Sequence, residues 1–225
     1  MNHELKRGKL IVIEGTDGSG KTTQTEALFL RLKKEGVSVE TLRFPQYEKN
    51  LFGKLIRECL DGHHGNFMQM DPKVTSVLYA CDRFETISQL RHWLDKGKVV
   101  ILDRYVSSNQ IHQGGKMKEE SERNKFLDWL SVMEYQTLGV LKPDMVLYLD
   151  VSEDVSKQLI LAREGVRDVA DSDFEYLHNS KEAGLFMLKR EPFWKRIDCM
   201  DGDTLRSIEE IHEIVWGEVK GELKL

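Results

Sequence analysis

The chain has 225 residues, 40% of them hydrophobic and 32% charged, with a formal net charge of −5. That length supports one sizeable core and is short for two. The charge balance offers nothing global for nucleic acid or an anionic membrane surface, so neither is expected as a partner.

In chain order, "MNHELKRGK" is charged and has no apolar leader-like stretch behind it. The longest apolar runs, "LIVI", "VVIL" and "MVLYL", fall far short of the roughly 20 residues needed to span a membrane. A cytoplasmic protein is expected, and the three widely spaced cysteines Cys59, Cys81 and Cys199 agree, reading as small buried hydrophobes in a reducing compartment. Strands are predicted over 10–14, 37–44, 98–103, 144–150 and 194–199, and helices over 20–35, 51–61, 72–96, 122–139, 152–163, 173–191 and 204–220. Continuous apolarity in "LIVIE", "VVILD" and "MVLYLD" is the mark of strands covered on both faces, hence of a parallel sheet. The β-α alternation predicts a single doubly wound α/β domain spanning 1–225, with five parallel strands flanked by helices. The polar stretch "REGVRDVADSD", 163–173, carries Gly165, interrupts two helices and reads as an exposed loop or lid.

Directly after the first strand comes "GTDGSGKTT", which matches G-x-x-x-x-G-K-[ST]. A strand before it and a helix after it supply the setting in which backbone N–H groups curl around a phosphate at a helix N-terminus. Gly15, Gly18 and Gly20 leave room for close backbone approach. Lys21 is placed to reach the β- and γ-phosphates, and the Thr22 hydroxyl to ligate Mg²⁺. This predicts a nucleoside triphosphate site without choosing a reaction.

The guanine-reading N-K-x-D element is missing, since "NK" at 124–125 is followed by Phe126 and Leu127. Asp103 and Arg104 end the strand "VVILD" at the carboxyl edge of the sheet, where parallel α/β proteins keep ligands. Asp103 is therefore a candidate for the Mg²⁺ side and Arg104 for a second phosphate. Asp150, ending "MVLYLD", is a rival carboxylate ranked lower because no basic residue adjoins it in sequence. Tyr79 and Arg83, four residues apart on one predicted helix, share a face that suits a stacked, hydrogen-bonded base; the same pair also reads as a core edge with a surface charge. His63 and His64 in "DGHHGN" read as a turn rather than a metal site.

Together, "IEGTDGSGKTTQ", "LRFPQY", "LYACDRF", "ILDRYVSSNQIHQGGK", "KPDMVLYLDV" and "IDCMDG" resemble the thymidylate kinase family in order and approximate spacing, from residue 10 to about 215. The resemblance implies a P-loop nucleoside monophosphate kinase fold and transfer of the γ-phosphoryl group of ATP to dTMP, giving dTDP and ADP. Another deoxynucleoside or nucleoside monophosphate kinase on the same fold is the alternative. It implies ATP binding by Gly15, Thr16, Asp17, Gly18, Ser19, Gly20, Lys21, Thr22 and Thr23, with Mg²⁺ at Thr22 and Asp103. For the acceptor it implies Asp17 near the sugar 3′-hydroxyl, and Arg104 with Arg43 or Lys49 on the phosphate. Tyr79 would stack on thymine and Arg83 would bond its O4 edge. Phe44, Pro45 and Leu60 would line the base pocket, Ser108 and Asn109 its far rim, and His112 would sit beside C2′ and disfavour ribose. Where one type of the family has a loop arginine this chain has Gly18, so the resemblance sends the catalytic cation to the lid, to Arg163 with Arg167 as alternative or assistant. It also implies a homodimer.

Overall fold

The structure, a computed structural model, describes residues 7–162 and 174–225. The expected lid at 163–173, with Arg163 and Arg167, lies outside the described residues.

Strand β1 (Leu10–Glu14) is buried along its whole length. It is the middle strand of a five-stranded sheet of order β2-β3-β1-β4-β5, formed with β2 (Val39–Arg43), β3 (Val99–Asp103), β4 (Met145–Asp150) and β5 (Trp194–Asp198). All four pairings are parallel. Alternate residues serve opposite layers, which explains the unbroken apolar runs. Leu10 and Val12 pack with Val100, Leu102, Val146 and Tyr148 on one face, whereas Ile11 and Ile13 pack with Ile101, Leu147 and Leu149 on the other. Helices α1 (Lys21–Lys34) and α8 (Ile208–Leu223) cover the second face through Leu28, Leu32, Ile211, Val215 and Val219. The first is covered partly by α3 (Pro72–Asp95) through Leu90 and Leu94.

The predicted strands and most helices are present with boundaries shifted by a few residues. The last helix starts later than expected, because Ser207 and Glu210 form a reciprocal cap at its N-terminus. The preceding residues make a hairpin of β6 (Met200–Asp201) and β7 (Thr204–Leu205), turning at Gly202 with φ 59°; the Gly202–Asp203 pair fills the two-residue loop and is its sequence signal. The predicted helix over 122–139 is α5 (Glu120–Ser131) followed by a π-helical turn, Val132–Thr137. Residues 106–116, not predicted as helical, form α4 (Val106–Ser108), a second π-helical turn at Asn109–Gln113 and a 3₁₀ turn at Gly114–Lys116. Cys59 and Cys199 are buried as expected, and Cys81 is only half-buried.

The remaining helices are α2 (Leu51–Leu60), α6 (Glu153–Ala162) and α7 (Phe174–Arg190). Among the described residues no helix is long and apolar enough to cross a membrane. Helix α7 lies against the sheet at Gly184, where a Cβ would fall inside the van der Waals envelope of the buried Tyr148 ring and hydroxyl. Gly184→Ala should therefore destabilise the fold by about 1–3 kcal/mol through overpacking. Gly217→Ala is the control: Gly217 is exposed on α8 with open space around it, and the change should be neutral or stabilising by up to about 1 kcal/mol. Urea midpoints of the two variants check this, and equal destabilisation would refute the packing argument.

Candidate active site

The β1–α1 loop is shaped by its glycines. Gly15 has φ 155°, Gly18 φ 78° and Gly20 φ 84°, the last two in the left-handed region that disfavours side chains. A Cβ on Gly18 would also lie 2.6 Å from the Ser156 carbonyl of α6 and 3.1 Å from Ile160. There is no space for an arginine at this position. Lys21 is buried and folds over the loop, its Nζ donating to the carbonyls of Gly15 (2.9 Å) and Thr16 (2.8 Å). Its ammonium sits 3.8 Å from Asp17.

The Thr22 hydroxyl donates to Asp103 Oδ2 at 2.8 Å. The other oxygen, Asp103 Oδ1, is buried and has no hydrogen-bond partner among the described residues. An orphaned carboxylate oxygen beside a loop threonine is a donor set that suits a hard divalent cation. Asp150 is differently engaged: Arg196 Nε donates to it at 2.7 Å and Lys181 lies 3.2 Å away. Its basic partners come from distant parts of the chain, and they neutralise it.

Arg104 follows β3 with φ 68°, a strained conformation for a residue with a side chain. The turn sends its guanidinium across to the loop, where Nη2 donates to Asp17. Nη1 meets His112 Nε2 at 3.2 Å, and His112 Nδ1 meets the Ser180 hydroxyl of α7 at 3.1 Å. The imidazole stacks on Tyr176 with ring centroids 5.4 Å apart.

These groups wall a cavity of about 250 Å³. Asp17, Phe44, Pro45, Leu60 and Tyr79 line it, as do Arg83, Arg104, Ser108, Asn109 and His112, so all ten expected acceptor residues come together. Arg43 is also in the lining and Lys49 is not. Arg83 is buried, not a surface charge, and is held by Glu134. A second hollow of about 210 Å³ opens beside the loop, lined by Gly18, Gly20, Leu159, Leu205, Arg206 and Ile208. Among the loop residues, Asp17 borders the first and Gly18, Ser19, Gly20 and Thr23 the second.

A sequence model of the thymidylate kinase family matches residues 13–213. The chain belongs to that family. The thymidylate kinase of Thermoanaerobacter sp. (strain X514) is 32% identical over 216 residues, covering 95% of this chain and 98% of the relative. That of Mycobacterium tuberculosis (strain ATCC 25618 / H37Rv) is 35% identical over 147 residues, 65% of this chain and 68% of the relative. Among solved structures, the thymidylate kinase of Candida albicans superposes with a TM-score of 0.74 at 25% identity, covering 97% of this chain and 93% of the other.

Several residues of this thymidylate kinase family member escape sequence reasoning. Glu14 is fully buried and accepts from Gly15 N, Ser107 and Ser108; a carboxylate ending an otherwise apolar strand was its only signal. Tyr176 enters from α7, and Leu205 and Arg206 from the hairpin end, with no local pattern to mark them. Glu134 sits in the middle of a predicted helix and looks like a surface residue in sequence.

Burial and opposing charges set the protonation of the site. Burial works to raise the Asp17 carboxyl, but the charges of Arg104 and Lys21 outweigh it and hold the group well below the usual carboxylate range. Burial and the nearby Arg104 bring Lys21 down to about 8. Burial pushes His112 down to about 3, keeping its imidazole neutral. Between its ordinary value of 6.5 and about 3, the unfolded chain carries a proton on this residue that the folded chain lacks. Stability must fall as pH drops through that window, by up to about 1.4 kcal/mol per pH unit from this group. Urea unfolding of the parent and of His112→Phe at pH 6 and pH 4.5 should show the flatter dependence in the variant; parallel slopes would contradict a neutral buried His112.

Proposed function

We propose that the protein transfers the γ-phosphoryl group of ATP to dTMP, giving dTDP and ADP. The observation that carries this reading is the position of Asp17. It belongs to the phosphate-binding loop, yet it lines the 250 Å³ cavity and pairs with Arg104. Donor loop and acceptor cavity are thus one site, as direct transfer between two bound nucleotides requires. The names of the relatives support dTMP as the acceptor.

Phosphoryl transfer asks for alignment and charge neutralisation more than for covalent chemistry. Loop N–H groups and Lys21 would hold the triphosphate, with its base in the hollow between Leu159 and Leu205. Arg104 and Arg43 would hold the acceptor phosphate, and Asp17 the sugar hydroxyl. A nucleotide phosphate is already largely a dianion at neutral pH, its second pKa being about 6. No side chain needs to remove a proton from it, which is consistent with a neutral His112. The aromatic pair of His112 and Tyr176 instead supplies a flat wall for the sugar. Mg²⁺ would be held by Thr22 and Asp103, where it supplies positive charge to the phosphate oxygens. The further cation is assigned to Arg163, with Arg167 as alternative or assistant, because Gly18 leaves no room for one in the loop.

A homodimer and a cytoplasmic location complete the proposal, with no nucleic-acid or membrane partner. Exposed Val74, Val77 and Phe84 recur along one face of α3, a pattern that supports pairing through that helix.

ADP release with dTMP, dUMP, dCMP, UMP and thymidine as acceptors tests the reading. dTMP should stimulate it most, with dUMP weaker by about 1–3 kcal/mol for the missing methyl; no stimulation by dTMP would overturn the assignment. Lys21→Ala should lower kcat/KM by about a hundredfold or more, and near-normal turnover would remove the loop from the mechanism. Arg163→Ala should lower kcat, and if it does not while Arg167→Ala does, the role passes to Arg167.

A further inference from the structure

Two residues that line the acceptor cavity, Arg83 and Asn109, are held from behind by a third that does not line it. Glu134 is fully buried, in the π-helical turn after α5. Its Oε2 accepts from Arg83 Nε at 2.7 Å, and its Oε1 accepts from Arg83 Nη2 and from Asn109 Nδ2, the latter at 2.9 Å. Asn109 begins the other π-helical turn, and π-helical turns inside helices recur where side chains are aimed at a site. Arg83 Nη1 also donates to the Tyr105 carbonyl at 3.2 Å, and Asn109 Nδ2 to the Ser76 carbonyl at 3.1 Å.

The chemistry of the partners settles the polarity of this pair. A carboxylate and a backbone carbonyl can only accept, so both hydrogens of the Asn109 amide are committed and the group cannot turn over. What Asn109 has left for the cavity is its Oδ1, an acceptor. Arg83 can only donate. The cavity therefore meets a base edge with a donor next to an acceptor. The complement is an oxo group beside a ring N–H, the edge of a 4-oxopyrimidine. A 4-aminopyrimidine presents the reverse order at both atoms.

We propose that Glu134 is a positioning residue for base selection: by accepting from both Arg83 and Asn109, it fixes which of them donates and which accepts toward the bound pyrimidine. The inference rests on the reading of the cavity as the dTMP site and deepens it. Glu134 never touches the nucleotide. It also neutralises Arg83, so that the guanidinium acts as an oriented hydrogen-bond donor and the nearby phosphate is left to Arg104.

Glu134→Gln tests this. The new amide nitrogen must face a donor, so Arg83 or Asn109 has to turn away. The KM for dTMP should rise at least about tenfold while kcat and the KM for ATP change little, and the dTMP-to-dCMP ratio of kcat/KM should fall by about tenfold. A merely structural role would not move that ratio. If Glu134→Gln does not fold, Glu134→Asp keeps the carboxylate but withdraws it by one methylene, so it cannot reach both partners; the same ratio should fall severalfold. A folded variant of either kind with dTMP KM and base ratio within twofold of the parent overturns the proposal. The parent enzyme, assayed alongside, separates the two levels: no dTMP phosphorylation by the parent removes the reading of the site, whereas normal parent activity with unchanged variants removes only the role of Glu134.

Discussion

The Glu14 carboxylate, fully buried at the end of β1, is the constraint on which the site depends. Burying an isolated carboxylate costs several kcal/mol, and only hydrogen bonds that occupy its oxygens offset that cost. Here Oε1 accepts from Gly15 N at 3.0 Å, and Oε2 accepts from the hydroxyls of Ser107 and Ser108, each at 2.7 Å. One side chain thus ties the first residue of the β1–α1 loop to the segment after β3 that lines the 250 Å³ cavity. β1 and β3 are neighbours in the sheet, with Ile13 beside Asp103, so this link joins the ends of two adjacent strands. A neutral amide could keep the Gly15 contact only by turning its NH2 toward Ser107 and Ser108, whose hydroxyls would then have to accept instead of donate.

Beyond that link, charges alternate across the site. Lys21, Asp17 and Arg104 form a chain in which each charge faces one of opposite sign. Asp103 stands between Thr22 and Arg43, the latter 3.7 Å away. Partly desolvated charges interact more strongly than surface ones, so the arrangement holds its geometry before any nucleotide arrives. It also explains why Asp17 stays ionised despite burial, whereas His112 is kept neutral first by burial itself.

Much of the fold was legible because its signals are local. Unbroken apolar strands alternating with helix-period segments reveal a parallel α/β sheet, and the spacing of Gly15, Gly20, Lys21 and Thr22 reveals the loop. Asp103 and Arg104 were legible from their place at a strand end. What sequence could not show were pairings between distant residues. Arg83 was legible as a candidate for the cavity on the same face as Tyr79, but its partner Glu134 is 51 positions away, inside what looks like an ordinary helix. Glu14 reaches 93 positions to Ser107. The two π-helical turns, Asn109–Gln113 and Val132–Thr137, were not legible either, because no residue type announces them.

Within the loop, Asp17 borders one hollow and Gly18 the other, so neighbouring residues face the two compartments. A compound reaching from one to the other would occupy both while losing its translational freedom only once, and its affinity would exceed that of either half by the effective concentration of the tether.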